Sequence, residues 1–111
     1  MFEENGYVDI GDTGTISIPD VEAYLDCIVE TFAVHVDRER TRHGLWKKFP
    51  AVDQMQQIRI KTDRILRSIE LRDDGVTTRK EFQDSAAEEL KDIINYAVFA
   101  LRIIKGEFNE Q

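Results

Sequence analysis

Cysteine is almost missing from this sequence. Cys27 is the only one in 111 residues. A single thiol excludes an intrachain disulfide framework and fits a reducing compartment. No Cys/His cluster has zinc-ligand spacing. No apolar run approaches the ~18 residues that suggest a membrane span, so no membrane partner is expected. The acidic N-terminus has no apolar core segment, so no signal peptide is expected and the location expected is the cytoplasm. No strand precedes a glycine-rich loop, which removes the P-loop and the dinucleotide fingerprint. No serine stands in a nucleophile context, so a Ser/His/Asp triad has no support. Basic residues are the minority: Lys and Arg total 15 against 22 Asp and Glu, for a formal net charge of −7. That balance argues against direct nucleic-acid binding. It permits a cationic partner, a metal, or simple solubility.

What is present is helical. Glu88–Lys105 is the most apolar long stretch and contains no Pro or Gly before Gly106, a natural helix terminator. At about 100° per residue, Ala86, Leu90, Ile93, Ile94, Ala97, Leu101 and Ile104 share one stripe. Tyr96, Phe99 and Ile103 form a second apolar strip beside Asp92 and Asn95. A helix apolar on two sides is buried on two sides. Its second half is therefore expected either at the centre of a bundle or in a subunit interface.

The remaining chain reads as an arm and two further helices. Residues 1–19 carry three glycines, several acids and the alternating piece Thr15–Ile18, and read as an extended arm. Residues 20–111 read as one helical domain. The first helix spans about Asp20–Arg42, with Val21, Tyr24, Leu25, Ile28, Phe32, His35 and Val36 as its core stripe. Glu22, Asp26 and Glu30 line one flank, as a solvated acidic face or as a row of metal-facing carboxylates. His35 is a core histidine or a ligand. Gly44 can stop this helix. Trp46 follows in a connector with Leu45 and Phe49, where it anchors the loop or stacks on an aromatic ligand. The second helix spans about Ala51–Arg72, with Val52, Met55, Ile58, Thr62, Ile65, Leu66 and Ile69 facing inward. Gln57, Lys61 and Arg64 share a flank, suited to surface ion pairs or to gripping one phosphate. Asp73-Asp74-Gly75 ends this helix and is too short for a Ca²⁺ loop. Thr78-Arg79-Lys80-Glu81 has capping-box spacing and opens the third helix, which can break near Asp84-Ser85. Glu107–Gln111 is a polar tail.

The chemistry-bearing constellation is acids on the first and third helices with cations on the second. Glu89 and Asp92 lie one turn apart and can share a Mg²⁺, which in turn can hold a polyphosphate. Three blocks carry a resemblance: His43-Gly44-Leu45-Trp46, Ile60-Lys61-Thr62-Asp63-Arg64-Ile65, and Glu89-Leu90-Lys91-Asp92-Ile93-Ile94-Asn95-Tyr96-Ala97. In this order they resemble the phage nucleotide-modification-associated domain family, over roughly Asp37 to Lys105. His43 stands where that family has tyrosine. More distantly, the layout is similar to all-α nucleoside triphosphate pyrophosphohydrolases of the MazG type, which hold Mg²⁺ with an ExxE pair and a later ExxD pair. Glu89 and Asp92 match the second pair. The first pair is absent, and the first helix offers Glu22, Asp26 and Glu30 at four-residue spacing instead.

The expected fold is therefore all-α: a three-helix bundle unit with a short extended N-terminal arm, completed by homo-oligomerisation through the third helix. The resemblance implies a phage-type nucleotide-binding protein in an infected bacterial cell. On the hydrolytic reading it is a Mg²⁺-dependent pyrophosphohydrolase: the catalytic Glu89 and Asp92 hold the metal with Glu30 or Asp26, Lys61 and Arg64 neutralise phosphate, Trp46 or Tyr96 packs on the base, and Asn95 is a further nucleotide-binding residue. The alternative is a non-catalytic sponge that sequesters a nucleotide-derived host immune signal. A third reading is an acidic protein-interaction module, for instance a DNA mimic.

Overall fold

The computed structural model describes residues 6–107. The arm is a small antiparallel hairpin of β1 (Tyr7–Asp9) and β2 (Thr15–Ser17), pairing Tyr7 with Ser17, Val8 with Ile16 and Asp9 with Thr15. Residues 1–5 of the arm and 108–111 of the polar tail lie outside the described residues. Three helices follow: α1 (Ile18–Arg42), α2 (Ala51–Asp73) and α3 (Arg79–Ile104), with a 3₁₀ turn at Leu45–Lys48 before α2. The fold is all-α apart from the hairpin. Among the described residues no helix is long and apolar enough to cross a membrane.

Local chemistry places the helix ends. The Ser17 hydroxyl accepts from the Asp20 amide at 3.3 Å, so α1 starts at Ile18 and Pro19 falls in its first turn. An N–H missing there removes no helical hydrogen bond. At the other end His43, rather than Gly44, takes the left-handed cap position at φ 50°. Thr78 caps α3, accepting from the Glu81 amide at 3.1 Å and donating to the Glu81 carboxylate at 2.9 Å. The helix then runs unbroken through Asp84 and Ser85. Both α2 and α3 end in a glycine at positive φ. After Asp74 and Lys105, Gly75 and Gly106 let the next amide fold back, giving Val76 N–H to Leu71 O at 2.9 Å and Glu107 N–H to Arg102 O at 3.2 Å. This is the Schellman pattern, which satisfies carbonyls the helix leaves open.

The packing departs from the apolar stripes. α2 and α3 pack against each other antiparallel, and α1 lies mainly on α3. On α3 the second strip faces inward: Asn95, Ala100 and Ile103 are buried, with Tyr96 and Phe99 half-buried. Of the first stripe only Ala86 is buried, while Leu90, Leu101 and Ile104 are exposed. On α2 the inward line is Ala51, Gln54, Ile58, Lys61 and Ile65, whereas Val52, Met55 and Leu66 face out. On α1 it is Thr31, His35 and Arg38 that turn inward, and Tyr24, Leu25, Ile28, Phe32 and Val36 are exposed. The reason is common to all three helices. Each inward line carries polar groups that find partners across the interface, so hydrophobicity alone points to the wrong rotation. The apolar centre is small: Trp46, Ala51 and Ile103, with Phe99 packed against them.

Candidate functional site

Two adjoining features lie where α1, α2 and α3 meet. The first is a line of charge. Asp92 of α3 receives Arg38 of α1 on one oxygen at 2.5 Å and Lys61 of α2 on the other at 3.0 Å. Lys61 also reaches Glu89 at 3.3 Å, and Arg64 lies 3.6 Å from Glu89. The Lys61 and Asp92 side chains are only 12% and 13% exposed. Burial alone would raise the Asp92 carboxyl, but the hydrogen bonds and charges of Arg38 and Lys61 outweigh it and hold its pKa below the ordinary value. Burial would likewise lower the Lys61 ammonium, and its bonds to Asp92 and Glu89 raise it above the ordinary value instead.

The second feature is a cavity of about 400 Å³ beside that line, under the connector. Pockets for small molecules span roughly 300–1,000 Å³. Its aromatic wall is Trp46, Phe99 and Tyr96. Trp46 stacks on Phe99 at 4.3 Å and 10° between planes, and Tyr96 meets Phe99 edge-on at 6.0 Å. His35 adds a tilted contact to Phe99 at 5.1 Å. Its polar wall is Gln54, Gln57 and Asn95, with Arg38 and Arg42 entering from α1 and Glu39 and Asp53 also at the lining. Two amides are pinned by backbone. Gln54 donates to Trp46 O at 3.0 Å, and Asn95 donates to Thr31 O at 3.1 Å. Each uses one of several donor and acceptor positions on its amide group.

The structure thus brings together Trp46, Asn95 and Tyr96 around one cavity. It places Lys61 and Arg64 elsewhere, on the carboxylates Glu89 and Asp92. The four carboxylates expected to hold Mg²⁺ do not assemble. Asp26 is exposed on α1, and Glu30 meets Lys91 at 3.9 Å rather than Glu89 or Asp92. Among the described residues no group of three or more His, Cys, Asp or Glu side chains could hold a metal ion. Glu89 and Asp92 do converge, but on the ammonium of Lys61. Mg²⁺ requires oxygens in near-octahedral array, and cations already balance both carboxylates, so these residues do not fit the metal.

Sequence reasoning passed over Arg38, Arg42, Gln54 and the inward role of Thr31, and of α1's polar line it placed only His35 in the core stripe. The signal was there in the spacing. Thr31, His35, Arg38 and Arg42 recur at three- and four-residue steps, which sets them on one helical face. The apolar stripe alongside drew attention away from it. No protein-family model matches the chain, nor does any curated protein or solved structure.

Proposed function

We propose that the cavity binds a nucleotide or nucleotide-derived small molecule and sequesters it without hydrolysis. The observation that carries this reading is the engagement of Glu89 and Asp92 by Lys61 and Arg38 beside an aromatic and amide-lined cavity. A heterocyclic base suits the Trp46, Tyr96 and Phe99 wall, because stacking on aromatic side chains tolerates any base. Gln54, Gln57 and Asn95 supply groups able to hydrogen-bond a base edge. Arg42, with Arg38 behind it, meets phosphate. Glu39 and Asp53 share the lining, so the cavity favours a ligand of low phosphate charge over a triphosphate. The resemblance to a phage family gives this binding a setting: the cytoplasm of an infected bacterium, with a host immune signal as the ligand removed. The binding unit is a homo-oligomer in which α3 takes part.

The test is incubation of the purified protein with nucleoside mono- and triphosphates and cyclic nucleotides, with Mg²⁺ or with EDTA. Each mixture is chromatographed before and after heat denaturation. A ligand that vanishes and returns intact on heating, equally in EDTA, supports sequestration. Conversion to a monophosphate that EDTA abolishes would establish the Mg²⁺-dependent pyrophosphohydrolase and remove the sponge. No change in any ligand would leave the acidic surface as the functional feature.

A further inference from the structure

The outer face of α1 is an exposed apolar surface that the cavity does not use. Tyr24, Leu25, Ile28, Phe32 and Val36 all stand at least two-fifths exposed, Phe32 at 61%. Below them a groove of about 260 Å³ runs between α1 and α3, walled by Ile28, Phe32, Ile94 and Val98. No side chain is fully buried anywhere among the described residues. The chain is also too open for its size. Its radius of gyration is 17.6 Å, where a compact domain of this length has about 13 Å. Its accessible surface is 8356 Å², which exceeds by about 2,000 Å² the area of a compact monomer of this mass. Two copies each burying that excess would bury about 4,000 Å² together, inside the range of obligate homodimers.

Charge indicates what covers the face. Residues 20–30 of α1 hold four acids and no Lys or Arg, while residues 38–48 hold three Arg, two Lys and one Glu. A helix with an acidic first half and a basic end repels a parallel copy of itself and matches an antiparallel one. The antiparallel arrangement also sets opposite helix dipole ends together. A two-fold axis near Phe32 would lay Ile28 against Val36 and Glu22 against Arg42, which is the self-complementary pattern of an isologous contact.

We propose that a second copy of this chain docks antiparallel along α1, seated over the groove between α1 and α3. The contact goes beyond the α3 interface expected from sequence by placing α1 on the axis. It rests on exposure, area and charge, and is independent of whether the cavity holds a nucleotide. The groove and the cavity share His35, Asn95 and Phe99, so the docked copy covers the back of the ligand wall.

Sedimentation velocity across a protein concentration series tests it. The wild type should sediment at twice the 12.9 kDa chain mass. Phe32→Asp and Leu25→Asp should sediment as monomers, with helical circular dichroism retained because both side chains are exposed. Glu22→Arg and Arg42→Glu should each weaken association at least tenfold, and the double variant should restore it, because only an antiparallel pair brings the two positions together. A wild-type monomer at high concentration would overturn the proposal. So would a dimer that survives Phe32→Asp, or charge reversals that fail to compensate. Nucleotide retention is read in Phe32→Asp and Leu25→Asp, which lie outside the cavity lining: loss of association with retention intact would leave the sequestration reading standing, and the reverse result would remove that reading and leave the dimer.

Discussion

Ile103 and Ile104 are neighbours on α3, yet one is 3% exposed and the other 65%. They belong to two faces of the same helix that obey different rules. The face of Ile103 is chemically mixed, with Asp92, Asn95, Tyr96 and Phe99, and both Asp92 and Asn95 meet partners across the interface, Asp92 on α1 and α2 and Asn95 on α1. The face of Ile104 is purer in hydrocarbon, with Leu90, Ala97 and Leu101, and faces away from α1 and α2. Apolar character makes burial favourable, at roughly 25 cal/mol per Å². It does not choose which surface is covered. That choice falls to the side whose charges and amides can be satisfied, since an unpaired buried charge is far more costly than an exposed isoleucine.

Trp46→Ala probes the inner face most severely. It removes the ring that stacks on Phe99 and should cost about 3–5 kcal/mol, the usual range for deleting a buried aromatic. Chemical denaturation measures it, and a loss below 1 kcal/mol would mean that the connector, not the ring, holds this end of the molecule. Next is Asp92→Asn, which keeps the shape but leaves Arg38 and Lys61 facing a neutral amide. Breaking a buried pair costs about 3–5 kcal/mol, and the part-exposure of Arg38 reduces this to about 2–3 kcal/mol. Equal stability of the variant and the wild type would show that the charged line does not select the buried face.

The pH profile gives a subtler test of the same residues. The folded Asp92 carboxyl lies below its ordinary value, so its stabilisation is complete above the ordinary carboxylate range and is lost as pH falls through the lowered value. Lys61 is raised, so its contribution is complete below the ordinary lysine value and is lost as pH rises through the raised one. Stability should be flat near neutrality and decline at both extremes, and Asp92→Asn should flatten the acid limb. An unchanged acid limb in that variant would place the acid sensitivity in other carboxylates. The smallest effect is expected on the outer face. Ile104→Gln, measured in dilute protein, should change stability by no more than about 0.5 kcal/mol. A loss above 1 kcal/mol would mean that Ile104 is covered in the folded protein.

Much of the secondary structure was legible. Thr78 with Glu81 and the glycines after α2 and α3 mark helix ends through hydrogen bonds formed within a few residues, so the information is local. The rotation of each helix was not legible in the same way. Val52, Met55 and Leu66 on α2 make as good a stripe as the true inward line, because Gln54 and Lys61 look like surface residues until their partners are known. The aromatic and amide members of the cavity, Trp46, Asn95 and Tyr96, could be singled out from their neighbourhood in the chain. Arg38 and Arg42 share a helical face with Thr31 and His35 by spacing, but their part in the cavity depends on α1 crossing α3.

By itself, then, the sequence determined that there are three helices and, to within a few residues, where each begins and ends. Those properties follow from caps, periodicity and composition, which act over a few residues or over the whole chain at once. Only the tertiary structure decided that Lys61 sits between Glu89 and Asp92, that Arg38 pairs with Asp92, and that the more apolar face of α3 stays outside. Those outcomes depend on pairings between residues 28 to 64 positions apart. Electrostatic and hydrogen-bond satisfaction is a property of such pairs, and a pattern read along one helix carries no record of its partner.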